Sequence, residues 1–177
     1  MTTLIDTKLV EVLRGRFRLD WRGIHGASHW SRVRQSGLVL AERIGPQVNV
    51  RVVELFAFLH DSCRHDDGYD PMHGTRAADS IAGLMEDLPV LSAEERKLLA
   101  YACTHHSDGL REAEVTVQVC WDADRLDLGR VGHVPDPGRL CTPAARDAKL
   151  IDWAYKRSTR GVAVGGGETG VGARLPG

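Results

Sequence analysis

Apolar residues fall along the chain in blocks whose spacing is that of helices. The longest, VNVRVVELFAFL from Val48 to Leu59, is nearly all apolar. Its length and the Val52, Phe56, Leu59 spacing predict a buried helix, central to the fold, rather than a strand. Before it, residues 30–44 predict a helix stopped by Gly45-Pro46. Asp70-Pro71 reads as an N-cap followed by proline at the first helical position, opening a helix from Pro71 to about Met85. Ser92 with Glu95 three residues on is a capping box for a helix running through Leu98, Leu99 and Cys103 to His105-His106. A further helix spans about Val115 to Leu128 and stops at Gly129. Thr142-Pro143 repeats the cap-plus-proline signal, and the helix it opens carries Ala145, Leu150 and Trp153 towards Arg157. Nothing alternates with period two over a useful length. The expected fold class is all-α, a single-domain helical bundle over residues 1–157. Residues 129–141 read as a Gly/Pro-rich loop, and 158–177 as a tail too Gly-rich to pack.

Composition narrows the function classes. At 177 residues and 42% hydrophobic, the chain can bury a core without disulfides or a structural metal. Its four cysteines lie far apart with no CxxC, so neither a zinc knuckle nor a disulfide framework is indicated. A net charge of −1 argues against a binder of duplex nucleic acid or of an anionic membrane. No apolar run approaches the ~18 residues of a membrane span, and the first residues lack the apolar stretch of a signal peptide. A soluble, cytoplasmic protein is expected.

Neutrality hides a pattern. Residues 61–127 hold 15 acidic and 6 basic side chains, while the flanking segments are net basic. Five of the eight histidines (His60, His65, His73, His105 and His106) fall in or at the edge of this acidic middle. Glu86, Asp87, Glu94 and Glu95 account for part of the acidity as solvated helix-end charges. Carboxylates beside imidazoles suit a divalent cation. His60-Asp61 directly follows Phe56, Ala57, Phe58 and Leu59, where a charged pair is costly to bury unless it is paired or bound to metal. His29 stands ahead of Trp30-Ser31-Arg32-Val33, and Asp122-Ala123-Asp124-Arg125-Leu126-Asp127 places three carboxylates on one helix. Histidines and aspartates brought together from several helices are how bundles build metal sites.

This arrangement resembles the HD-domain metal-dependent phosphohydrolases. The residues that carry the resemblance are His29 in HWSRV, His60-Asp61 in FLHDSCR and Asp124 in DADRLD. Two further histidine positions of two-metal members look like His73 in HGTRAA and His105 or His106 in THHSDG. The likeness covers roughly residues 20–130. It implies an all-helical fold with a metal held by His29, His60, Asp61 and Asp124, and a second ion where His73 and His105 or His106 contribute. Mixed imidazole and carboxylate ligands suit Mn, Fe, Co, Ni or Zn better than Ca. The implied activity is hydrolysis of a small phosphorylated metabolite, with nucleotides the leading class, by metal-activated water.

Other residues carry two readings each. A helix over 22–32 would put His25 one turn from His29, as a partner, ligand or substrate contact, although Gly23 and Gly26 weaken that helix. Arg64 suits charge balance on a transferring phosphoryl group, alongside Asp61 as a catalytic residue; its alternative is pairing with Asp66 or Asp67. Arg32 and Arg125 have the same two readings, the structural one preferred for Arg125. His105 and His106 point about 100° apart on a helix, so one of them reaches a given metal. Asp122 and Asp127 read as a cap and a network partner, with Asp122 able to join the site. Cys63 and Cys103 read as small apolar groups. Two other functions stay open: a di-iron oxygenase on the same scaffold, and a non-catalytic ligand-binding module.

Overall fold

The computed structural model describes residues 5–84 and 90–160. Among them are seven α-helices and no strands, so the fold is all-α. The helices are α1 (Thr7–Arg16), α2 (Ala27–Ile44), α3 (Val50–Leu59), α4 (His73–Ser80), α5 (Ala93–His105), α6 (Val115–Arg125) and α7 (Ala148–Ser158). None is long and apolar enough to cross a membrane.

Helix α3 is the axis of the molecule. Asn49 caps it by accepting from the Arg51 and Val52 amides, and Val52, Val53, Leu55, Phe56, Ala57 and Leu59 are all buried. A helix apolar nearly all round belongs inside a core, and α3 is flanked by α2, α5 and α6. Gly37 lets α2 come close: a Cβ there would lie 2.4 Å from a Val53 methyl. The close α2–α3 approach aligns the start of α2, with His29, beside the end of α3, with His60 and Asp61. Helix α4 lies against α5, and Gly74 is again the reason, since a Cβ would stand 2.4 Å from the Cys103 carbonyl. That approach sets His73 next to His106.

Several helix limits differ from the sequence expectation, each for a tertiary reason. Helix α1 was not expected; Asp6 caps it, and Leu9 and Leu13 bury its inner face. Helix α2 begins at Ala27 behind Gly26, so there is no helix over 22–32 and His25 precedes α2. Helix α4 starts at His73, not Pro71. The Asp70 carboxylate that would cap it instead accepts from the His65 amide and pairs with Arg76. It also ends at Ser80, followed by a 3-10 turn over Ala82–Leu84; Met85, Glu86 and Asp87 lie outside the described residues. Helix α6 ends at Arg125, with a separate 3-10 turn over Leu128–Val131. Thr142 opens a turn, not a helix: its hydroxyl donates to Asp122 and accepts from the Ala145 amide. Helix α7 starts later, capped by Asp147. The 129–141 segment is ordered, with 3-10 turns at both ends and Arg130, Pro135 and Leu140 buried. Of the expected tail, Ser158 ends α7, and 161–177 fall outside the described residues.

Candidate metal centre

Four helix ends deliver imidazoles to one place. His29 comes from the first turn of α2, His60 from the end of α3, His73 from the start of α4 and His106 from the end of α5. Asp61 follows His60, and Asp124 comes from α6. All four rings are buried, as is Asp61.

The orientation of each ring is fixed through its Nδ1. The Asp127 carboxylate accepts from His29 Nδ1 at 2.7 Å. Backbone carbonyls accept from the others: Phe56 from His60 at 3.1 Å, Cys103 from His106 at 2.6 Å, and Asp70 from His73. A carbonyl or carboxylate oxygen can only accept, so each Nδ1 carries a proton and Nε2 is the atom turned inward, a bare lone pair in the neutral ring. Those lone pairs then meet. The Nε2 atoms of His29 and His60 are 3.0 Å apart, and those of His73 and His106 are 2.8 Å apart. Facing lone pairs repel unless a cation or a proton lies between them.

Asp61 links the two pairs. Its Oδ2 is 3.4 Å from His29 Nε2 and 3.6 Å from His60 Nε2. Its Oδ1 is 3.3 Å from His73 Nε2 and 3.6 Å from His106 Nε2. Asp124 Oδ1 completes the first group, 3.4 Å from His29 and 3.7 Å from His60. That oxygen is buried and has no hydrogen-bond partner among the described residues. Donors about 2.1 Å from a common ion stand about 3.0 Å apart at right angles and about 3.4 Å apart at the tetrahedral angle. The observed separations fall around these values, so the donor set fits a divalent transition metal at His29, His60, Asp61 and Asp124. A second group of Asp61, His73 and His106 has the same character.

The electrostatics agree with an anionic cradle. Burial pushes the Asp61 carboxyl up, but the imidazoles of His60, His106 and His29 outweigh it and hold the group well below the usual carboxylate range. Burial likewise opposes ionisation of Asp124, and is overcome by His60 and Arg130. Burial lowers His60, yet Asp61 and Asp124 win and its pKa is raised. His73 is pushed down to about 4 by burial and by His106 beside it.

Arg64 sits at the rim of the centre. Its Nη1 donates to His73 Nε2 at 3.1 Å and stands 3.4 Å from Asp61 Oδ1. Its other nitrogens donate to the Asp66 and Gly68 carbonyls, so the loop backbone, not the Asp66 or Asp67 carboxylate, holds it. Beside the centre opens a cavity of about 570 Å³ whose walls include Asp61, Asp124 and five arginines: Arg64, Arg111, Arg125, Arg130 and Arg139. Three of the five, Arg111, Arg130 and Arg139, were not singled out from sequence; two of them lie in the 129–141 segment expected to be a plain loop.

Two candidates stand elsewhere. His105 turns away to Asp108, 2.7 Å from Nδ1, so of the doublet His106 alone joins the group. His25 is buried behind His29, ring centres 6.3 Å apart, with its Nδ1 on Asp67 at 2.7 Å. Asp122 accepts from the Cys141 and Thr142 amides inside α6, neither capping a helix nor facing the centre. Asp127, the network partner, orients His29 and takes a two-pronged contact from Arg32. Arg125 donates to the Arg139 and Leu110 carbonyls, holding the cavity wall. Cys103 is a buried thiol and Cys63 a half-buried one, and both are free. No family model matches the chain, and neither does any curated protein or solved structure.

Proposed function

We propose that the chain is a metal-dependent phosphohydrolase of the HD-domain kind, acting on a small phosphorylated metabolite such as a nucleotide. One observation carries the reading: inward-facing imidazole lone pairs and the unpartnered Asp124 oxygen adjoin a cavity walled by five arginines. A non-catalytic module gains nothing from this juxtaposition, because convergent donors beside a cationic cleft are what phosphoryl transfer requires.

A divalent ion at His29, His60, Asp61 and Asp124 supplies Lewis acidity, lowering the pKa of water and polarising a phosphoryl oxygen. The chain supplies the rest. Asp61 and Asp124 stay ionised at neutral pH. Asp127 holds His29 in the tautomer whose Nε2 is free to bind. Arg64, fixed by two loop carbonyls, points Nη1 at the edge of the centre, where it meets charge developing on a phosphoryl oxygen. Arg130 and Arg139 line the farther wall and bind the anionic remainder of the substrate.

The test is elemental analysis of protein purified without a His-tag, followed by phosphate release over nucleotides and sugar phosphates. One or two Mn, Co, Ni, Zn or mixed ions per chain with phosphate release is the expected result. Two irons with oxygen uptake and no phosphate release would replace the hydrolase with an oxygenase. No metal after supplying Mn and Fe would overturn both.

A further inference from the structure

A second cationic cavity lies behind the centre, with a volume of about 320 Å³. Arg22, Arg32, Arg130 and Arg160 line it, together with Ser28 and Ser158. Four guanidinium groups around so small a space repel one another, and few carboxylates answer them. Asp127 is committed to His29 and to both prongs of Arg32, and it stands 4.0 Å from Arg130, which donates to the Ile24 and Asp127 carbonyls. Asp124 approaches Arg130 only at 3.7 Å and faces the other way, into the metal centre. Asp20 spends an oxygen on the Arg22 backbone amide. The Arg22 and Arg160 side chains have no hydrogen-bond or ion-pair partner among the described residues, and both are exposed.

The surroundings add to the positive potential. Arg157 stands close enough for Arg32 and Arg160 to oppose its charge; burial, first, and these two arginines lower its pKa, with Asp127 opposing them. Helix α2, 18 residues long, begins here with Gly26, which offers no side-chain cap. The Ala27 amide donates to the Trp21 carbonyl, but the Ser28 amide finds no acceptor among the described residues. Guanidinium forks, a hydroxyl and free amides at a helix start are the donors that hold a tetrahedral oxyanion.

We propose that this cavity is a binding site for a phosphate-type oxyanion, distinct from the metal centre and sharing only Arg130 with its cavity. Its volume has room for a phosphoryl group. The ligand is a free inorganic anion or the terminal phosphate of a larger molecule. Arg32 reaches into the cavity from the Asp127 clamp, so the site borders the element that orients His29. The proposal does not depend on the chain being a hydrolase.

Amide-resolved NMR of the full-length protein, titrated with inorganic phosphate, tests it. The expected result is saturable movement of the Ser28 amide, weakened at least tenfold in Arg22→Ala/Arg160→Ala and unchanged in Arg139→Ala. Both substituted residues of the double variant are exposed, so the fold is kept, which the unperturbed core resonances verify. Movement confined to Gly109 and Gly138, which line the metal-side cavity, would place phosphate there alone and overturn the proposal. So would a Ser28 response indifferent to the double substitution, or no saturation. A parallel titration with methyl phosphate separates the sources. Equal binding indicates the terminal phosphate of an organic molecule, and binding of inorganic phosphate alone indicates the free ion.

Discussion

Asp122 and Asp124 sit two residues apart on α6, both with buried oxygens, in opposite circumstances. Asp122 Oδ1 accepts from the Cys141 amide at 2.6 Å, and Oδ2 accepts from the Thr142 amide and hydroxyl at 2.8 Å each. It is a clamp that ties the 129–141 segment to α6. Burial raises its carboxyl pKa against the pull of those donors. Asp124 instead leaves a buried oxygen without a donor, pointed at two imidazoles. Burial of a carboxylate therefore does not by itself separate a structural clamp from a candidate ligand; whether the protein itself satisfies the oxygens does.

Substitutions on the two sides of this divide should separate cleanly. Asp61→Ala, on the side that faces the imidazoles, removes the carboxylate whose two oxygens stand against the two histidine pairs. Bound metal and phosphate release should both fall to background, read by elemental analysis and phosphate assay, while the helical circular dichroism is kept. Normal metal content in that variant would break the distinction. Asp122→Ala, on the satisfied side, strands two buried amides and a hydroxyl. It should cost about 3 kcal/mol in urea unfolding, since unpaired buried donors carry their full desolvation penalty. Metal per folded chain should be unchanged. Loss of metal without loss of stability would place Asp122 in the centre after all.

Asp127 lies between the two cases: its oxygens are satisfied, yet one of its donors is His29. Asp127→Ala should weaken metal affinity about 10- to 100-fold, the usual effect of losing the group behind a ligating imidazole. Competition with a metallochromic chelator measures it, and an unaltered affinity would make Asp127 a purely structural anchor for Arg32. From sequence, Asp127 is only one of three carboxylates in DADRLD; its link to His29 spans 98 residues and exists only once α2 and α6 are packed. The same holds for the helix starts. Asp70 and Thr142 look like caps in sequence, but partners at Arg76 and Asp122 claim them. His60-Asp61 was legible because a charged doublet after a fully apolar helix is anomalous by itself. The choice of His106 over His105 was not, because it depends on the rotation of α5 against α3. Arg130 and Arg139 of the cavity wall were not legible, since a Gly/Pro-rich stretch has no period that shows which way its side chains face.

The smallest expected effect concerns the one cap that local pattern identified without ambiguity. Ser92 accepts from the Glu95 amide at 3.1 Å while Glu95 accepts from the Ser92 amide at 2.8 Å, the reciprocal pair of a capping box. Ser92→Ala should cost about 1 kcal/mol in urea unfolding. Glu95 adds a pH dependence to the same helix start. The Ser92 amide first, then Arg51 and Asn49, hold its carboxyl below the ordinary 4.5. A lowered folded pKa means that the unfolded chain binds the proton more tightly. The stabilisation from Glu95 is therefore complete above about pH 4.5 and is lost as pH falls through the folded value. Glu95→Gln should be less stable than the parent at pH 7, with the gap closing towards pH 3. Helix α5, capped by Ser92 at one end, carries His106 as the cap of its other end. Metal affinity of Ser92→Ala should move much less than that of Asp127→Ala, because the change lies a full helix away from the ligand rather than behind it.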